Sequence, residues 1–381
     1  MATLSLTRCF KACRNAGAST APRGTARDWA ARLTTAATGL TTVLPVLILA
    51  LAAGSALAEA CRPEFPYRTE WMGADSAYST GIPGGRTFWS FGDTYYGKTA
   101  RARQAMVRNS VAISTCREGK FVIDYASKVN PATGKRLAFF ESPDKSEWYW
   151  PKGALMYDRK LYVFLGRLGR AEDTFFPFEL RGTDIAIIDN PQANPLDWRI
   201  RYRVFIQRPD IHAAAAVVRE GSYAYIYATI DNINGMVQPV ILYRVMLQHL
   251  ANPSGRVEYL SNSREDTWKE GLGFGDARII LEQGSTEFSV HRDSAARAWR
   301  LVIIGRVFVD DKAIYTALSP SLTQPWQKLE YLWFIDGAEG RTCYAAKRIA
   351  GYNGFLYNCL WNEPRKRLLD LNVYRPVVAS F

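Results

Sequence analysis

"GADSAYSTGIPGGRTFWSFGDTYYG", residues 73–97, predicts an antiparallel hairpin with Gly84-Gly85 at the turn between two apolar-rich runs. Asp75 and Asp93 each lie nine residues from Gly84, so a turn centred there places the two carboxylates opposite each other. A two-residue turn would pair Asp75 with Thr94 instead. Like charges that face each other across two strands are destabilising, so we expect this pair of acids to serve a function.

Four later stretches repeat the same pattern of a small-residue or alternating strand, a polar turn and a second apolar strand. They begin at residues 149, 210, 286 and 343, and each interval leaves room for two more strands. Four-stranded units at this spacing are typical of propeller blades, so the sequence predicts an all-β, five-bladed β-propeller. A β-sandwich is the alternative, because the similarity between the units is faint.

The first 58 residues predict a secretory signal rather than part of the fold. Six Lys or Arg residues and one acid precede residue 39, and an apolar run at 41–58 ends in small residues. We expect residues 1–58 to be removed and residues 59–381 to form a single propeller domain, secreted or periplasmic. A membrane anchor is the alternative, but the apolar run is short for a span and contains Pro and Gly.

The cysteines that remain after residue 58 predict a disulfide-bonded domain. They are four in number, Cys61, Cys116, Cys343 and Cys359, and an even count in an exported chain favours two disulfides. Three pairings are open. Cys343 and Cys359 flank Gly354 within one predicted hairpin, so a bridge between these two strands is favoured and would leave Cys61 to pair with Cys116.

Charge and motifs exclude several classes of function. The chain has 48 Lys and Arg residues against 36 Asp and Glu, but they are dispersed, which does not favour a nucleic-acid partner. Nucleotide-binding loops, a nucleophile elbow and zinc spacings are absent from the sequence. We therefore predict no cofactor and assign no metal ligands, while a calcium ion in the central channel is left open. We expect a monomer with no membrane span after removal of the signal.

The propeller topology predicts where the candidate site residues meet. The leading residues of each inner strand gather at one mouth of the channel, and an antiparallel hairpin returns Asp93 to the mouth that holds Asp75. The predicted catalytic residues are Asp75, Asp93 and Glu287. The predicted substrate-binding residues are Trp150, Lys152, His212, His291, Tyr344, Lys347 and Tyr95.

Carboxylates grouped in this way suit glycoside hydrolysis. One acid must donate a proton to the leaving oxygen while another stays ionised to attack the anomeric carbon or activate water, and neighbouring like charges separate the two pKa values. Aromatic residues make up 13% of the chain and could stack on sugar rings. Structural roles are the alternative: a turn cap for Asp93, a buried backbone acceptor for Asp75, an edge carboxylate for Glu287, and core packing for the histidines.

Several motifs resemble one family of secreted bacterial proteins. The stretch from Gly73 to Gly97, "NSVAIS" (109–114), "YWPKGALMYDRKLYVFLGR" (149–167), "TEFSVHRDSAARAWRLV" (286–302) and "CYAAKRIAG" (343–351) are similar to domain of unknown function 4185, linked to endo-D-arabinanases. The resemblance implies a five-bladed glycosidase that cleaves arabinan or arabinogalactan. It implies acid–base roles for Asp75 and Asp93, with Glu287 carried only by analogy. A non-catalytic propeller that binds glycans of the cell envelope is the alternative function.

Overall fold

The computed structural model describes residues 61–67, 70–97, 103–172, 177–231, 238–263, 267–273, 275–305, 313–363 and 370–381. The predicted signal segment 1–58 lies outside the described residues. The described residues belong to one compact unit. Two short 3₁₀ turns, Pro195–Asp197 and Leu247–His249, are the helical elements among the described residues. None of the helices in this part of the chain has the length and apolar character needed to cross a membrane.

Five antiparallel sheets account for most of the described chain, and the predicted all-β, five-bladed propeller is confirmed. Blade 1 contains β2 (Tyr78–Ile82), β3 (Arg86–Phe91), β6 (Ser110–Arg117) and β7 (Lys120–Ala126). Blade 2 contains β10 (Glu147–Tyr157), β11 (Lys160–Arg170), β12 (Phe178–Ile188) and β13 (Ile200–Ile206). Blade 3 contains β14 (Ile211–Glu220), β15 (Tyr223–Ile230), β16 (Val240–Met246), β17 (Glu258–Leu260) and β18 (Trp268–Glu270).

The last two blades complete the set. Blade 4 contains β19 (Ser289–Asp293), β20 (Ala298–Ile304), β21 (Ala313–Ser319) and β22 (Glu330–Phe334). Blade 5 contains β23 (Arg341–Arg348), β24 (Gly354–Trp361) and β25 (Val377–Ser380). Two smaller sheets accompany blade 1, formed by β1 (Trp71–Ala74), β4 (Thr94–Gly97) and β5 (Arg103–Val107), and by β8 (Lys128–Val129) and β9 (Arg136–Leu137).

Apolar packing between neighbouring blades closes the ring. One buried cluster joins blades 1 and 2, and others join blades 2 and 3, blades 3 and 4, and blades 4 and 5. Ile349 and Leu356 of blade 5 pack with Trp89 and Phe91 of blade 1, which completes the circle. Burial of these faces between sheets is the dominant stabilising contribution, at about 25 cal/mol for each Å² of apolar surface removed from water.

Backbone irregularities mark the inner strands where they approach one mouth of the channel. The pairing of β10, β14 and β23 shifts register after Pro151, His212 and Tyr344, respectively. Ala214 and Ala345 have φ values of 63° and 62° within these shifts. Such bulges bend a strand and re-aim its side chains, so the mouth residues turn out of the regular pleat.

The structure contains two disulfides, which decide between the three possible pairings of the four cysteines. Cys343 bonds to Cys359 across β23 and β24, and Cys61 bonds to Cys116 at the end of β6. The first bridge lies within one hairpin, as the sequence predicts. The second ties the N-terminal segment of the described chain to blade 1.

Candidate active site

Asp75 and Asp93 lie opposite each other in a gap between two paired stretches of one long hairpin. Asp75 falls between β1 and β2, and Asp93 falls between β3 and β4. The pairs Ala74–Thr94 and Tyr78–Ser90 flank the gap in one continuous register. The turn between Ile82 and Arg86 has three residues, so the observed register is the one that pairs residues 75 and 93 and not 75 and 94.

The carboxyl group of Asp75 is held by phenols. Tyr344 donates a hydrogen bond to Asp75 Oδ2 at 2.9 Å, and Tyr374 donates a second. Burial, with the charges of Asp93 and Glu287 in support, raises the pKa of Asp75 to about 7. Asp75 therefore exchanges its proton near neutral pH.

Asp93 is held by two different donors and remains partly exposed. Trp150 Nε1 donates to Oδ1 at 2.9 Å, and Arg108 Nη1 donates to Oδ2 at 3.2 Å. Its side chain is 20% exposed. Burial raises the pKa of Asp93, while the Arg108 guanidinium opposes that rise by favouring the ionised carboxylate. The two aspartates thus share a mouth but have different electrostatic partners.

Glu287 joins the aspartates from blade 4, immediately before β19. Ser76 Oγ donates to Glu287 Oε2 at 3.1 Å, so the residue next to Asp75 bridges blades 1 and 4. Lys347 Nζ lies 3.7 Å from Glu287 Oε1, and both side chains are nearly inaccessible to solvent. Three acids from two separate blades therefore converge at one mouth of the channel.

The two predicted lysines lie beneath the acids rather than on an open surface. Lys347 is 2% exposed, and its ammonium sits 4.0 Å from the centre of the Tyr78 ring. Burial lowers the pKa of Lys347 to about 8. Lys152 Nζ donates to the carbonyl of Thr286 at 3.4 Å, next to Glu287. Both cations support the backbone and charge of Glu287.

Three predicted substrate-binding residues are not brought to the acids. His212 pairs within its own blade, with Nε2 2.9 Å from Asp231 Oδ1. His291 lies further along β19 and lines a cavity on the channel axis. Tyr95 packs edge-on against Tyr374 at 5.5 Å, one layer behind Asp75. Glu287 and His291 are four residues apart and so have the same facing, but the rise along the strand places them at different depths in the channel.

Sequence reasoning missed four residues of the site: Ser76, Gly92, Arg108 and Tyr374. Tyr374 follows β24 outside the repeated hairpin, and Arg108 lies in the link between β5 and β6. Only Gly92 could have been recognised in the sequence, as a glycine directly before Asp93. The structure gives the reason for this glycine, because a Cβ at residue 92 would lie 2.4 Å from Asp75 Oδ1. Glycine before Asp93 therefore leaves room for the neighbouring carboxylate.

The geometry combines one carboxyl group that titrates near neutral pH with one carboxylate beside an arginine. Both are held by side-chain donors, namely phenol, indole and guanidinium groups. This arrangement can supply and withdraw protons at a bound substrate. Within the described ranges, no group of three or more His, Cys, Asp or Glu side chains could hold a metal ion.

Comparison with solved structures agrees with the propeller architecture. A protein of Bacteroides ovatus provisionally described as a hydrolase is similar with a TM-score of 0.63 and 16% identity, over 81% of this chain and 85% of that chain. An endo-arabinase from Bacteroides thetaiotaomicron has a TM-score of 0.44 and 12% identity, over 84% of this chain and 98% of that chain. At these identities the first likeness concerns the fold alone, and the second is too distant to bear on function.

Sequence comparison shows the family. No functionally curated protein matches the chain. The motif-based resemblance to domain of unknown function 4185 is not confirmed, because a different family's sequence model matches residues 65–363. The chain belongs to that family, described as domain of unknown function (DUF5005).

Proposed function

We propose that the protein is an exported glycoside hydrolase that cleaves furanose-containing polysaccharide, with arabinan or arabinogalactan as the substrate class. One observation carries the proposal: three carboxylates from blades 1 and 4 meet at the mouth, and Asp75 has a pKa of about 7. Glycosidases need one protonated and one ionised carboxyl group on either side of the scissile bond. The two disulfides suit an exported protein.

In the proposed mechanism Asp75 donates its proton to the leaving glycosidic oxygen. Asp93, beside Arg108, stays ionised and either attacks the anomeric carbon or removes a proton from the attacking water. Glu287 stabilises positive charge that develops on the sugar ring. The part-exposed indole of Trp150 would orient the substrate by stacking on a ring face while its Nε1 holds Asp93.

The direct test is product release from defined polymers. We expect purified protein to liberate oligosaccharides from arabinan or arabinogalactan, and Asp75→Asn, Asp93→Asn and Glu287→Gln to abolish release while keeping the fold. Product sizes over time distinguish internal from terminal cleavage. If no furanose polymer is cleaved but the protein still binds one in a pull-down, the non-catalytic glycan-binding alternative replaces the hydrolase proposal.

A further inference from the structure

A second polar site lies on the propeller axis, apart from the carboxylates. A cavity of about 130 Å³ is lined by residues from the inner strands of all five blades. This axial cavity is far larger than one water molecule needs. Its polar lining comes from Ser79, Ser289, His291, Lys347 and Arg348. Among the described residues that line it, none is acidic.

Hydrogen-bond donors without acceptors dominate the axial cavity. Lys347 Nζ is buried and makes no hydrogen bond within the described chain, although the Glu287 carboxylate lies 3.7 Å away. His291 Nδ1 is also buried without a partner, and it donates or accepts according to the tautomer of the neutral ring. Ser79 Oγ accepts from the Ala350 N–H at 2.8 Å, and Ser289 Oγ accepts from the Arg348 N–H at 2.8 Å. Each hydroxyl proton therefore remains available for donation. Buried donors left unpaired are costly, so the lining favours a ligand that only accepts hydrogen bonds.

The charges around the axial cavity also favour an anion. Lys347 and Arg348 line it, and burial, with the charges of Arg348 and Arg300 in support, lowers the pKa of His291 to about 3. Asp293 lies near this group, but Arg300 Nε already bonds its carboxylate at 2.7 Å. Glu287 offsets part of the charge of Lys347 from the mouth side. The remaining excess of charge around the axial cavity is positive and modest, which suits a bound anion with a single negative charge.

We propose that the axial cavity binds one small monovalent inorganic anion of the chloride class. Lys347 supplies the charge, and the hydroxyls of Ser79 and Ser289 supply further donors. A bound anion satisfies the buried ammonium and fixes its position against Glu287. The ionic composition of the medium then acts on the stability of the propeller.

The test compares sodium chloride with sodium gluconate at constant ionic strength, since gluconate is a bulky organic anion that does not substitute for a small halide. We expect the melting temperature of the wild-type protein to rise saturably with chloride, by about 2–4 °C. Lys347→Met removes this dependence, whereas Lys145→Met, a matched change of a lysine that is 80% exposed, retains it. Ser289→Ala, a milder change, shifts half-saturation to higher chloride concentration.

Crystals soaked in sodium bromide locate the ion, because bromide scatters anomalously and substitutes for chloride. We expect an anomalous peak in the axial cavity next to Lys347 Nζ, and none there in Ser289→Ala at low bromide. A peak with no chloride dependence in solution means an adventitious ion only and overturns the proposal. So does a chloride effect that is equal in Lys347→Met and Lys145→Met, or stabilisation by calcium gluconate in place of sodium chloride. None of these readouts depends on glycosidase activity.

Discussion

The mouth of the propeller and the axial cavity adjoin each other but have opposite chemistry. The mouth gathers Asp75, Asp93 and Glu287, whereas the axial cavity gathers Lys347, Arg348 and unpaired donors. Lys347 belongs to both regions, since it lines the cavity and faces Glu287 at 3.7 Å. The acids come from blades 1 and 4, whereas both cations come from β23 of blade 5, so the difference teaches that closure of the ring, and not any one strand, sets the charge of each region. The charge state of each region therefore depends on its neighbour.

The largest expected effect comes from neutralising the central acid of the mouth. Asp75→Asn should lower the hydrolysis rate by about 10²–10⁴-fold, because it removes the proposed proton donor. The melting temperature should stay unchanged or rise, since a desolvated carboxyl group is replaced by a neutral amide. Initial rates on the polysaccharide that is cleaved provide the measurement. Asp124→Asn, an exposed acid on β7, is the matched control, and equal rates in both variants contradict the assignment.

Removing the cation shared by the two regions should destabilise the propeller. Lys347→Met leaves Glu287 buried without its counter-charge, which costs about 3–5 kcal/mol in comparable buried pairs. Urea unfolding measures the loss. Adding Glu287→Gln to this variant should restore part of the free energy of unfolding, because the stranded charge is then gone. A double variant no more stable than Lys347→Met alone argues that the pair is not coupled.

The pH dependence of stability should distinguish the mouth from an ordinary acidic surface. The pKa of Asp75 rises from 3.8 to about 7 in the folded protein, so the native state holds a proton that the unfolded chain has released. Stability from this group is therefore present at low pH and lost as pH rises through about 7. We expect the free energy of unfolding of Asp75→Asn, relative to that of the wild-type protein, to be larger at pH 8 than at about pH 4. If the difference in the free energy of unfolding between the two proteins does not change with pH, the pKa of Asp75 in the folded protein is near its usual value.

A smaller, local effect is expected at the glycine beside the acids. Gly92→Ala places a methyl group 2.4 Å from Asp75 Oδ1, so the carboxyl group must move. We expect about 1–3 kcal/mol of destabilisation and a clear loss of hydrolysis. Gly81→Ala is the control, because nothing lies within 4 Å of a Cβ at that position on β2. If Gly92→Ala hydrolyses substrate as fast as the control variant, hydrolysis does not depend on the position of the Asp75 carboxyl group.

The repeated hairpins show how much of the fold was predictable. Each predicted unit corresponds to the inner hairpin of one blade, because alternating apolar residues and turn signals are local properties. The register that faces Asp75 with Asp93 was one of two that the sequence left open, and the three-residue turn between Ile82 and Arg86 decided it. His212 shows where prediction from the spacing to the turn fails. It has the same spacing from its turn as the other mouth residues, yet its side chain pairs with Asp231 instead.

The sequence alone determined the strands, the turns, the hairpin that carries the two aspartates and the even set of cysteines, because each depends on short-range pattern or covalent chemistry. The tertiary structure decided which partners reach those aspartates: Tyr374 from beyond β24, Ser76 to Glu287 across blades, and Lys347 between mouth and axial cavity. These contacts join residues far apart in the chain. Their geometry follows from closure of the ring, and the resulting burial and charge set the pKa values that the proposed chemistry requires.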